Sequence, residues 1–179
     1  MAFAAARRRD EKDILLSVRT TIEAIQGAAS SSSGDIEFSR LRTAGSQLYW
    51  RCSLVPPITP TSDNGTKQVV ADSELKTLED QLVTAMAVAE ERRLQRVLLP
   101  TTRERVSLSE TERSAASEAF VIVFDHLKRI ESLFDAGVAE EALWLCRFGY
   151  WSEWGEGLLR ALRTLHVLVN PVETIFHTV

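Results

Sequence analysis

The chain has 179 residues, a formal net charge of -4 and only two cysteines. That length suffices for one domain, or one domain with an attached arm, and lets it bury roughly 70% of its extended-chain surface without a disulfide or metal staple. The acidic balance disfavours a protein whose main work is gripping a polyanion, because such proteins need a dense positive footprint to release counterions.

The opening stretch, MAFAAARRRDEKD, places its small apolar run before its arginines and then turns acidic, the reverse order of a secretory signal. From about Asp10 to Ala28 the residues Ile14, Val18, Ile22 and Ile25 recur at helical spacing, and Gly27 with the run Ser30 to Gly34 is expected to stop this first helix. Asp35 can cap a second helix with Ile36, Leu41, Ala44 and Leu48 facing inward, so residues 10–52 read as an N-terminal helical hairpin or arm.

Pro56, Pro57 and Pro60 forbid a continued helix, since each lacks the backbone N–H and restrains the residue before it. Residues 53–71 therefore read as a long Pro/Ser/Thr-rich linker. Pro57 and Pro60 meet the PxxP spacing only minimally, and Asn64-Gly-Thr66 meets the glycosylation pattern but reads as part of a turn.

The main helical bundle is expected over residues 72–179. Its first helix starts at Asp72 or Ser73 and runs to about Leu99, before Pro100. One stripe holds Leu75, Leu78, Leu82, Met86 and Ala89, and a second holds Val83, Ala87, Leu94 and Leu98, which makes this helix a candidate for the bundle centre. Ser107 or Ser109 opens the next, with Ser109 and Glu112 spaced for a capping box, and Ala116, Phe120, Val123, Phe124, Leu127, Ile130 and Phe134 forming its stripe up to Gly137. The segment AFVIVF within it could be a buried strand by composition, but the capping box and the downstream spacing favour helix.

Residues 138–169 form a fifth segment with Trp144, Phe148, Trp151, Gly155, Leu158, Leu162, Leu165 and Val169 on one face. Gly155 and Gly157 are candidates to break it in two. Pro171 fits the start of a short last helix through Val172, Ile175, Phe176 and Val179. The fold class is thus all-α: an antiparallel bundle of about five to six helices with a long connection after the N-terminal hairpin.

No signature of chemistry rises above background. GxSxG, GxxxxGK[ST] and GxGxxG do not occur, and none of His126, His166 and His177 has a ligand one turn away on the same helix face, so no catalytic residue, cofactor or metal is expected. His126 reads as a hydrogen-bonded histidine at the core edge. Glu131, inside the arc of Phe120, Phe124, Leu127 and Phe134, is either on a wet edge, in a structural ion pair, or a catalytic acid; if buried, it needs an arginine partner or a raised pKa. Cys52 and Cys146 lack any CxxC or Cys/His spacing and read as buried thiols in a reducing compartment.

Two arginine clusters occur, Arg7 to Arg9 and the candidate basic patch Arg92, Arg93 and Arg96, but acids flank both and no aromatic interleaves them. The most specific local signal is LWLCRFGYWSEWGEG, where Trp144, Phe148 and Trp151 share a stripe expected in the core, while Tyr150 and Trp154 stand on its shoulder as candidate interface anchors. These five are the candidate interaction residues.

The expected function is protein–protein interaction: an adaptor, structural or accessory protein, self-associating through apolar helix faces or binding another protein. The alternatives are a small helical enzyme or ligand-binding regulator with an aromatic pocket reached by His126, Glu131, Arg147 or Tyr150, and a weak nucleic-acid-binding factor using the arginine clusters. With no stretch long enough to span a bilayer, the expected location is cytoplasmic or nuclear.

Overall fold

The structure, a computed structural model of the chain, describes residues 2–32, 35–59, 69–96 and 107–169, with side chains from residue 11 onward except those of residues 35 and 96. Every regular element among the described residues is helical, as the sequence pattern demands: α1 (Ala2–Ser30), α2 (Asp35–Ser53), α3 (Asp72–Arg96), α4 (Glu110–Asp135), α5 (Ala139–Gly149) and α6 (Gly155–Val169). A π-helical turn, Tyr150–Trp154, joins α5 to α6 without a break, so the described residues form five rods. The expected last helix from Pro171, and residues 60–68 of the expected linker with Pro60 and Asn64-Gly-Thr66, lie outside the described residues.

α1 is longer than its apolar stripe implies, and Gly27 lies inside it rather than ending it. A β-carbon at Gly27 would sit 2.9 Å from Glu37 Oε2, so glycine is where α2 comes close. α2 buries Phe38, Leu41, Ala44, Leu48 and Cys52, one stripe of a 3.6-residue period. Ile36, expected to face inward, is about 200° from Phe38 on that wheel and faces solvent. α1 packs on α2, α3 and α4, and α2 packs on α6 and α5. The buried residues of both helices belong to the same core cluster as those of the later helices.

α3 buries its first stripe through Leu78, Leu82, Met86 and Ala89, whereas on the second Ala87 is exposed and Val83 and Leu94 are half-buried. The centre of the bundle is α4 instead, which touches α1, α3, α5, α6 and the π-turn. Its capping box is complete: Glu112 N–H donates to Ser109 Oγ at 3.1 Å, and Ser109 N–H donates to Glu112 Oε2 at 2.8 Å. AFVIVF lies within this helix. α4 ends in a Schellman arrangement with Gly137 at φ 77°, Val138 N–H reaching Leu133 O and Gly137 N–H reaching Phe134 O.

One polar knot anchors the return of the chain from α3 to α4. Glu90 accepts both Arg93 Nε (2.8 Å) and Nη2 (2.9 Å), and its Oε1 also accepts Leu108 N–H at 3.0 Å. Arg113 donates to Leu108 O at 2.6 Å, so residue 108 is held by both its amide and its carbonyl.

Candidate functional site

A straight α-helix through residues 139–169 would align Leu158 with Trp144, Phe148 and Trp151, since each step of three or four residues returns to one face. The π-turn puts an extra residue into that path, which rotates everything before it by about 100° relative to everything after it. α6 still buries Leu158, Ala161, Leu162, Leu165 and Leu168. Upstream, the inward face shifts by one residue to Trp154, Tyr150, Cys146, Leu143 and Ala142.

The aromatic roles are therefore inverted. Trp154 (1% exposed) and Tyr150 (8%), expected on the shoulder, are core residues, whereas Trp151 (66%) and Phe148 (43%), expected in the core, face outward. Half-buried Trp144 stacks on Phe148 with centroids 4.9 Å apart and planes 14° from parallel, and Trp151, exposed one turn further along the rod, meets Tyr150 edge-on at 5.2 Å; Trp144, Phe148 and Trp151 are the outward rings of this rod, its aromatic ridge. Inward, Tyr150 meets Tyr49 edge-on at 5.0 Å and Trp154 at 5.8 Å. Burial first, then the hydrogen bond with Tyr49, pushes the Tyr150 phenol up to about 12.

Two glycines make the π-turn possible. A β-carbon at Gly155 would overlap the Tyr150 carbonyl oxygen, well inside the 3.0 Å that such atoms essentially never breach. One at Gly149 would overlap Trp154 Nε1 and lie 2.8 Å from Cδ1 and 3.2 Å from His126 Nδ1. Backbone and indole come this close only where no side chain intervenes.

Against the turn stands the buried His126 of α4, whose Nε2 lies 2.5 Å from Glu153 Oε2. Its partner comes from another helix, which is why spacing along α4 did not reveal it. Desolvation is the largest influence on His126 and pulls it below its usual 6.5; Glu153 and Asp125 act the other way, and Arg129 adds to the lowering. Asp125 and Arg129 form an ion pair one turn apart on α4.

The remaining expected residues scatter. Glu131 is in a structural ion pair: Lys128 Nζ reaches it at 2.8 Å and Arg19 Nε at 3.2 Å, while Arg19 also reaches Asp135 at 2.7 Å, joining α1 to α4. The hydrogen bond from Lys128, followed by that from Arg19, outweighs burial and holds its carboxyl below the usual 4.5. Arg147 donates to Val55 O, tying α5 to the segment after α2. His126, Glu131, Arg147 and Tyr150 do not converge, and none of them lines the groove of about 610 Å³ between α4 and α6. The lining of that groove includes the small residues Ala115, Ala119 and Gly157 and both signs of charge, Glu112 and Glu118 on α4 and Arg160 and Arg163 on α6.

Arg93 is buried against Glu90 and does not belong to a solvent-facing basic patch; Arg92 is half-buried. The side chains of Arg7 to Arg9 and Arg96, and the whole of His177, lie outside the described residues. Among the described residues no group of three His, Cys, Asp or Glu could hold a metal, and no helix is long and apolar enough to cross a membrane. A second apolar patch escaped sequence reasoning. Leu16 on α1, Trp50 on α2 and Leu54 just after α2 are all exposed around one depression, and lone apolar residues on an outer face carry no periodic signal.

None of the curated proteins matches the chain. The crystal structure of protein BF1032 from Bacteroides fragilis is similar, with a TM-score of 0.68 and 14% identity over 90% of this chain and 93% of that one. At that identity the likeness concerns the fold alone. Residues 8–170, nearly the whole length, match the family described as a domain of unknown function, DUF5063, and the chain belongs to that family.

Proposed function

We propose that the protein acts by protein–protein contact through the ridge of Trp144, Phe148 and Trp151, with a second copy of the chain as its partner. The observation that carries this reading is the outward turn of rings that a regular helix would have buried, Trp151 above all. Aromatic anchors give large contact area for little lost rotamer freedom, and they dominate interface energetics.

The area decides what kind of contact this is. With about 150–250 Å² per ring, the exposed fractions leave roughly 250–300 Å² of aromatic surface. That is near the patch size found at functional sites of monomers, but well short of the ~800 Å² per partner of a standard stable interface. The association is accordingly transient and concentration-dependent, not obligate. Light scattering coupled to size-exclusion chromatography across the micromolar range tests it. The mass should rise with concentration, and Phe148→Ser with Trp151→Ser should stay monomeric with unchanged helicity. A wild type that is monomeric throughout, or a double variant that associates equally well, overturns the reading.

A further inference from the structure

Two buried nitrogens beside the π-turn have no hydrogen-bond partner: His126 Nδ1 and Trp154 Nε1. Both border the same spot, the one a methyl group at Gly149 would occupy. An indole nitrogen is always a donor, whereas a neutral imidazole has one donor and one acceptor. Glu153 Oε2 faces His126 Nε2, so the proton of the neutral ring belongs on Nε2 and the lone pair on Nδ1 faces the side of the indole N–H.

We propose that His126 is a proton-sensitive latch on the π-turn: neutral, it holds Glu153 through Nε2–H and offers the Nδ1 lone pair on the side of Trp154 N–H, and protonated it sets donor against donor and loosens the turn.

The charges acting on His126 are Glu153 from the π-turn and Asp125 and Arg129 from α4 itself. Asp125 and Arg129 neutralise each other, which leaves Glu153 as the net partner. Glu153 is exposed and its attraction is screened by water, so desolvation wins and protonation is resisted by the folded state. The turn also carries Trp151, so acid should weaken contact through the aromatic ridge; that consequence rests on the ridge being the contact face, and the latch does not.

Nitrogen-15 NMR of the intact chain between about pH 8 and about pH 5 tests the latch directly. His126 should be the Nε2–H tautomer at neutral pH, and the Trp154 indole N–H resonance should move with the His126 midpoint, accompanied by the amides of residues 150–154. His126→Gln should flatten the Trp154 profile, and Glu153→Gln should shift the midpoint lower. An indole N–H that stays fixed while His126 titrates, or an Nδ1–H tautomer at neutral pH, overturns the proposal in the wild type without any variant having to fold. A latch that titrates as expected in a chain whose mass never rises with concentration supports the latch and sinks the ridge reading alone.

Discussion

Replacing Gly155 and Gly157 with alanine, one at a time, should move stability in opposite directions although the two sites are two residues apart. In a helix interior Gly→Ala alone stabilises by about 0.5–1 kcal/mol. At Gly157 nothing opposes the gain, since the new β-carbon would meet Ala119 Cβ at an ordinary 3.5 Å. At Gly155 it would overlap the Tyr150 carbonyl oxygen, a backbone atom that no rotamer change can move away. Overpacking of that kind costs about 1–3 kcal/mol, which leaves a net loss of up to about 2.5 kcal/mol after the propensity gain. Urea denaturation followed by circular dichroism at the helical band reads both: the midpoint should rise for Gly157→Ala and fall for Gly155→Ala, with m unchanged. Two variants that stabilise alike would refute the close approach, and with it the register shift that turns Trp151 outward.

Other perturbations report on other parts of the molecule. Glu90→Ala removes the bidentate acceptor of a buried guanidinium and the acceptor of Leu108 N–H, and should cost about 3–5 kcal/mol in the same denaturation assay. Stability against pH should fall in two windows on acidification. His126 is held below 6.5 when folded, so the unfolded chain binds its proton first and stability drops as pH falls through and below 6.5. Burial alone would raise the Glu90 pKa, but hydrogen bonds from Arg93 and Leu108 outweigh it and hold it below 4.5; its contribution is full above that value and is lost as pH falls through the lower folded one. Cys52 and Cys146 are fully buried, and burial, then Cys146 beside it, pushes the Cys52 thiol up. Alkylation should therefore be slow in the native protein and rapid in denaturant, as followed by mass spectrometry.

Those contrasts also mark where sequence reasoning stops. The Ser109–Glu112 box, the Gly137 terminus and the apolar stripe of α4 are local, each set by residues three or four apart, and the structure has all of them. The aromatic segment misled because its faces were assigned with an unbroken 3.6-residue period, and one inserted residue exchanges the two faces. Gly149 and Gly155 were the available signal, but a glycine in a helical pattern announces neither a break nor a close approach by itself. α3 looked central because two apolar stripes ran along it, yet half-buried Val83 and Leu94 show the second stripe only partly covered. The partner of His126, Glu153, lies on a different rod, and periodicity along one helix has no information about what faces it.

The double grip on Leu108 has a use beyond stability. Both bonds to residue 108 come from Glu90 and Arg113, outside the stretch between 97 and 106, so the junction with α4 is fixed by groups that a change in that stretch leaves untouched. The sequence of residues 97–106 can therefore vary without the start of α4 losing its anchor on α3.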